Sequence, residues 1–197
     1  MSDRADLLAA LLPVVEVLDR LRVDYLVGGS VASSVHGMAR ATMDIDLVAD
    51  LRAEHVGPLV SSLEGEYYVD ADAMHDALRD RTAFNLIHLD SMFKVDIFVP
   101  KGRPFDREVL ARRASDRFQD TPNAREIFVA TAEDVILAKL EWFERGGRIS
   151  DRQWSDVLGV LRVQGDALDF AYLRRWASEL GLTDLLDRAL AERDPEV

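Results

Sequence analysis

Leu7, Leu8, Leu11, Val15, Leu18 and Leu21 recur at the spacing that lines up one face of an α-helix. The chain is therefore expected to open with a helix that lays one apolar face on a core and is kinked at Pro13, where a backbone donor is missing. A short apolar run, Tyr25-Leu26-Val27, then ends in Gly28-Gly29-Ser30. This reads as a buried strand turning into a short helix over 31–36, with Ser30 as its N-cap and Gly37 as its stop. In Asp44-Ile45-Asp46-Leu47 the period changes to two, so a strand would put both aspartates on one face and Ile45 and Leu47 on the other. Residues 53–63 read as a helix despite Gly57-Pro58, 66–69 as a short strand, and 71–78 as a helix capped by Asp70. Two apolar runs, 83–89 and 92–99, flank Asp90-Ser91 and predict a hairpin.

Beyond Pro100 the pattern loosens. Residues 101–107 are polar and turn-rich, 109–114 have helical character, and 126–130 form a last strand. From Thr131 onward the periodicity is helical throughout. Thr131 and Asp134 form a near capping box for a helix over 132–144 that ends at Gly146-Gly147. Ser150 or Asp151 caps the next helix, which runs to about 163, and two more cover 168–180 and 183–192. The expected architecture is α/β (α+β), a mixed sheet flanked by helices over 1–130 followed by a helical bundle over 131–197, with no flexible linker, repeat or low-complexity tract between them.

Composition narrows the chemistry. With 48% hydrophobic and 30% charged residues, the chain can bury one sizeable core with a helical lobe. It has no cysteine, which excludes disulfides and thiolate metal sites. The opening residues lack the basic flank of a secretory signal and no apolar run is long enough to span a bilayer, so a cytoplasmic location without membrane partners is expected. A net charge of -12 argues against a broad nucleic-acid footprint, although 24 lysines and arginines leave room for a local basic groove.

Candidate chemistry gathers around the glycine turn and the aspartates. Glycines at a strand-to-helix turn let backbone N–H groups approach an anion without a Cβ in the way, and the helix start adds partial positive charge. Two carboxylates ~5 Å apart repel by roughly 3 kcal/mol at an effective dielectric of ~20, which a divalent cation would relieve. Hard cations such as Mg²⁺ take carboxylate and phosphate oxygens together, so an anion seat beside an acidic pair implies a nucleoside triphosphate site. Asp96, in the apolar run Val95-Asp96-Ile97, needs compensation for its charge, and a strand pairing beside 45–48 would bring it next to Asp44 and Asp46. Three carboxylates could then hold one or two metals, with Asp96 also placed to take a proton from an attacking hydroxyl. Taken singly, Gly-Gly-Ser is a common turn and Asp-x-Asp a common strand end.

Farther along, Lys139 shares its helix face with Ile136, Leu140 and Phe143, the stripe that should be buried. Its ammonium must either snorkel to an edge or meet an anion. Asp156, on a secondary stripe with Val160 and Val163, could pair with it. Arg40 is a candidate triphosphate contact or a structural salt bridge, and Thr42 a cap for the loop before Asp44. The four histidines show no metal-ligand spacing, and only His36 lies near the glycine turn. Trp142, Trp154 and Trp176 fall on helices, where a core position is the ordinary expectation.

Gly28-Gly29-Ser30, then Arg40-Ala41-Thr42-Met43-Asp44-Ile45-Asp46-Leu47, then Val95-Asp96-Ile97 resembles the polymerase-β-like nucleotidyltransferase superfamily over residues 23–99. Within it, the AbiEii-like minimal nucleotidyltransferases, some of them toxins of toxin–antitoxin pairs, are most similar in appearance. Glu133-Asp134, Lys139 and Trp154-Ser155-Asp156-Val157 also look like that subgroup. The resemblance implies that Gly28, Gly29 and Ser30, with Arg40 and Thr42, bind the nucleotide. Asp44 and Asp46, with Asp96, would ligate Mg²⁺ or Mn²⁺, Asp96 activating the acceptor hydroxyl. Lys139 would contact nucleotide phosphate, and Asp156 would matter for activity as a C-terminal aspartate does in related toxins. Transfer of a nucleoside monophosphate to tRNA or protein, with a cognate antitoxin as partner, follows from the same resemblance. A non-catalytic nucleotide-binding partner protein and a small-molecule, antibiotic-type nucleotidyltransferase are the alternatives. The short, acidic chain speaks against templated synthesis.

Overall fold

The computed structural model describes residues 2–38, 41–118 and 125–193, with side chains from residue 4. The chain divides into two compact units, one made of 1–28 and 41–129 and the other of 29–40 and 130–197.

The first unit is built on a seven-stranded mixed sheet. Its strands are β1 (Tyr25–Val27), β2 (Asp44–Ala49), β3 (Tyr67–Tyr68), β4 (Ala83–His88), β5 (Lys94–Phe98), β6 (Ala114–Arg117) and β7 (Glu126–Val129), in the spatial order β3-β4-β5-β2-β1-β7-β6. The expected hairpin is present as the antiparallel pair β4 and β5. Strand β5 then runs parallel to β2, in register from Asp44 opposite Lys94 to Val48 opposite Phe98. Alternation sorts the two faces. Ile45, Leu47, Leu86, Val95 and Ile97 are fully buried on one, while Asp44, Asp46, Asn85, Lys94 and Asp96 occupy the other. Helices α1 (Ser2–Arg20), α3 (Ala53–Leu63), α4 (Ala71–Asp80) and α5 (Pro104–Arg112) complete the unit.

Helix α1 runs through Pro13 and buries Leu8, Leu11, Val15 and Leu18 as the spacing predicted, whereas Leu7 and Leu21 are only half-buried. Pro13 deprives the carbonyl of Ala9 of its helical donor. The hydroxyl of Tyr67 lies 3.5 Å from that oxygen and donates to the neighbouring Ala10 carbonyl at 2.8 Å. Asp70 caps α4 as expected, accepting from the Ala73 N–H. Two elements differ from expectation. Helix α5 starts at Pro104 because Pro suits the first helical position and Asp106 turns back onto the N–H and guanidinium of Arg103. Residues 114–117, whose Ala-Ser-Asp-Arg sequence carries no alternation, form the edge strand β6, paired antiparallel with β7, so Ala114 opens a strand instead of ending the helix expected over 109–114.

The second unit is helical: α2 (Gly29–His36), α6 (Ala132–Arg145), α7 (Asp151–Gln164), a 3₁₀ turn (Gly165–Ala167), α8 (Phe170–Leu180) and α9 (Thr183–Arg193). Helix α2 packs on α6 and α7. It begins two residues earlier than expected, at Gly29 with φ +52°, so Ser30 lies inside the first turn instead of at the cap. The helix ends at His36 as the pattern predicts, but Gly37 serves close packing: an added Cβ would lie 2.9 Å from the Val160 nitrogen and 3.0 Å from the Ser33 carbonyl. Thr131 and Ser150 are the observed caps of α6 and α7. Trp154 and Trp176 are core residues, whereas Trp142 is 50% exposed with Arg145 over its ring, and Val163 is exposed as well. Among the described residues no helix is long and apolar enough to cross a membrane.

Candidate active site

The outward face of the central strands carries one continuous polar row. Asp46 on β2 is the direct cross-strand partner of Asp96 on β5, and Asp96 is in turn the partner of Asn85 on β4. On the other side the N–H of Gly28 donates to the Asp46 carbonyl at 2.8 Å, so Gly28, Asp46, Asp96 and Asn85 stand level across four neighbouring chain segments. Gly28 needs no unusual backbone and a Cβ there would meet only ordinary contacts at 3.9 and 4.0 Å. What the glycine contributes is an absence of side chain beside Asp46.

Two residues along, on the same face, stands a second pair, Asp44 opposite Lys94. The Lys94 ammonium lies 2.9 Å from Asp96 Oδ2 and 3.9 Å from Asp44 Oδ1. The side chains of Asp44, Lys94 and Asp96 are 53%, 40% and 21% exposed, so the row is open to solvent at one end and half-sheltered at the other. The hydrogen bond to Asp96, reinforced by the charges of Asp96, Asp44 and Asp46, raises the Lys94 pKa and keeps the side chain an ammonium. Thr42 closes the turn before β2, its hydroxyl donating to the Asp44 carbonyl at 3.1 Å and accepting from the Asp44 N–H at 3.3 Å. Arg40 lies outside the described residues.

The adjacency of Asp96 to the Asp44–Asp46 pair, expected from a strand pairing beside 45–48, is thus observed. The structure adds Asn85 and Lys94 to the row. The signal for both was the same alternation: a strand-averse Asn between buried Phe84 and Leu86, and a lysine two residues before Asp96 on its own face. Among the described residues no group of three or more carboxylates or histidines is already drawn together as a metal-ligand set. The donor chemistry nonetheless suits a hard cation, since the row offers carboxylate oxygens and already attracts one cationic group, the ammonium of Lys94.

In the helical unit, the Lys139 ammonium on α6 meets Asp156 Oδ2 on α7 at 2.6 Å, with both side chains buried. The anion that the buried lysine demanded is therefore supplied by the chain itself. Glu133 and Asp134 are also tied into the packing. Asp134 accepts from the Tyr172 hydroxyl at 2.6 Å and the Thr131 hydroxyl at 2.8 Å, and Glu133 accepts the Asp169 N–H at 3.0 Å. Helix α2 is fastened within the same unit. The His36 ring lies 2.7 Å from the Ala130 carbonyl, the Ser33 and Ser34 hydroxyls donate to the Gly29 and Ser30 carbonyls, and the Gln164 amide donates to the His36 carbonyl.

No protein-family model and no curated protein sequence matches the chain. Solved structures do. The chain is similar to the antibiotic-resistance factor ANT(2'')-Ia in solution, with a TM-score of 0.57 at 11% identity over 92% of this chain and 96% of that one. It is similar to an antigenic nucleotidyltransferase-like protein from Paracoccidioides brasiliensis, with a TM-score of 0.55 at 16% identity over 96% and 93%. The fold is that of the nucleotidyltransferases. The likeness extends to ANT(2'')-Ia in complex with adenylyl-2''-tobramycin, with a TM-score of 0.51 at 13% identity. At such identities the nucleotidyltransferase fold is what the likeness establishes, and it spans nearly the whole chain, helical unit included.

Proposed function

We propose that the chain is a nucleotidyltransferase that moves a nucleoside monophosphate from a nucleoside triphosphate to an acceptor hydroxyl. The observation that carries this reading is the juxtaposition of Asp46 and Asp96, with Asp44 on the same face, in a chain with the nucleotidyltransferase fold. In the proposed site Asp44 and Asp46, with Asp96, hold a divalent cation, Mg²⁺ or Mn²⁺. Bound there, the cation would offset charge developing on the triphosphate. Asp96 takes the proton of the acceptor hydroxyl as its oxygen bonds to the α-phosphorus, while the bond from that phosphorus to the bridging oxygen breaks and pyrophosphate leaves. The bare Gly28 leaves space beside Asp46, and the backbone N–H groups at Gly29 and Ser30 receive phosphate oxygens, as the resemblance implies. Thr42 sets the entry of Asp44 into its strand, and Arg40 is assigned to the triphosphate by the resemblance alone.

Residues 1–130 are read as the transferase core and 131–197 as its helical subdomain. The buried pairing of Lys139 with Asp156 supports a packing role for both, and contact of Lys139 with nucleotide phosphate is proposed in addition. Within the superfamily, an AbiEii-like toxin acting on tRNA or protein, with an antitoxin partner in the cytoplasm, is favoured by the sequence motifs. The likeness to ANT(2'')-Ia over almost the whole chain supports a second reading, a small-molecule acceptor.

Transfer of label from each α-labelled nucleoside triphosphate, offered with total tRNA, cell protein or aminoglycosides in turn, tests the proposal. Asp44→Ala and Asp46→Ala are expected to abolish transfer with the melting curve unchanged. If both variants keep full, Mg²⁺-dependent activity, the site assignment fails. Toxicity on expression that disappears in Asp46→Ala would select the toxin reading.

A further inference from the structure

Lys94 is the one residue of the polar row whose charge opposes metal binding. It sits on β5 two residues before Asp96 and opposite Asp44 in the register, so sheet geometry projects it onto the acidic face. Its ammonium touches Asp96 at 2.9 Å and approaches Asp44 at 3.9 Å, two of the three carboxylates proposed as metal ligands. A divalent cation drawing on Asp96 and an ammonium hydrogen-bonded to the same carboxylate repel each other. Both cannot be seated together without loss. With its side chain 40% exposed and carried on a four-carbon stem, Lys94 is free to swing out into water when displaced.

We infer that Lys94 is a built-in counter-ion of the acidic row, holding Asp96 and Asp44 in place before substrate arrives and keeping the site's affinity for bare metal low. This inference rests on the reading of Asp44, Asp46 and Asp96 as metal ligands. Its consequence is an order of events. A metal already carried on a triphosphate brings its own negative charge and competes with Lys94 far better than the free ion does, so metal and nucleotide enter together.

The test is titration of Mn²⁺ without nucleotide, free Mn²⁺ being followed by electron paramagnetic resonance, on wild type, Lys94→Met, Lys94→Arg and Lys94→Met/Asp46→Asn. Circular dichroism melting checks that each is folded. Lys94→Met is expected to bind Mn²⁺ about tenfold more tightly than wild type, the Coulomb effect of removing a unit charge ~5 Å from a divalent ion in a water-like dielectric. Lys94→Arg keeps the charge and is expected to bind as wild type does. In Lys94→Met/Asp46→Asn the gain disappears. If wild type binds Mn²⁺ and Lys94→Met binds no more tightly, the counter-ion role is overturned while the metal site stands. If neither binds, or Lys94→Met/Asp46→Asn binds as tightly as Lys94→Met, the metal reading of the row falls and the inference with it. Binding by Lys94→Met where wild type shows none supports the inference in its strongest form.

Discussion

Replacing Lys139 by Met keeps the stem's volume but removes the ammonium that lies 2.6 Å from Asp156. The two side chains are only 6% and 8% exposed, so water cannot take over the solvation of the carboxylate left behind. Removing one partner of a buried pair in this way destabilises a protein by about 3–5 kcal/mol. A chain of this size loses roughly 2–4 °C of melting temperature per kcal/mol, so the expected fall is about 6–20 °C. Asp156→Leu alone should do comparable damage by removing the carboxylate that the buried ammonium meets. The double variant Lys139→Met/Asp156→Leu removes both charges of the pair and should recover most of the loss, because well-packed apolar pairs replace buried ion pairs at little cost. Urea unfolding followed by the fluorescence of Trp154 and Trp176, both buried in the same helical unit, measures all four corners of the cycle. A Lys139→Met loss under ~1 kcal/mol, the range of an exposed pair, would refute the reasoning. So would a double variant as unstable as the sum of the singles. The recovered double variant also separates packing from chemistry: if it is stable yet no longer binds nucleotide, Lys139 serves the phosphate as well as the fold.

Two further perturbations probe the packing. Gly37→Ala would push a Cβ to 2.9 Å from the Val160 backbone nitrogen, and neither backbone segment can step aside cheaply. It should destabilise by about 1–3 kcal/mol in chemical unfolding, and an unchanged midpoint would mean that α2 and α7 do not approach as described. Burial, with Asp19 nearby, raises the pKa of Tyr25 from 10.0 to about 12, and burial also raises that of Tyr67. Folded-state values above the unfolded ones mean that this stability is complete below pH ~10 and declines as pH rises toward ~12, because the unfolded chain releases the phenolic protons first. Melting temperatures measured from pH 8 to 11.5 should fall above pH ~10, and less steeply in Tyr25→Phe.

Strand alternation made the central half of the first unit legible. Asp44 and Asp46 had to share a face, and the charge of Asp96 had to be met: β2 lies beside β5 in register, and it is the ammonium of Lys94 that meets the charge. The pairing of Lys139 with Asp156 was open to the same reasoning, since a lysine on a buried stripe must find an anion. What stayed hidden depended on contacts that local pattern does not encode. Strand β6 has no alternation and exists because β7 offers it an edge. Helix α5 could not be placed by periodicity, since its start is set by Pro104 and the Arg103–Asp106 bond. Gly37 read as a helix stop, and the reason for its lack of a side chain lies some 120 residues away in sequence, at Val160. Lys94 gains its place at the acidic row from the strand register, which sets it opposite Asp44.

The in-register pairing of β2 with β5 also governs how the chain can change length. Because side chains alternate sides, one extra residue within 45–48, or one lost within 95–98, would turn the following positions over and exchange carboxylates for Ile and Leu. Gains and losses in the loops between the two strands carry no such penalty, since the strands pair directly wherever the intervening hairpin and helices lie. Homologues should therefore differ in length between 49 and 83 while these two short segments stay without gaps.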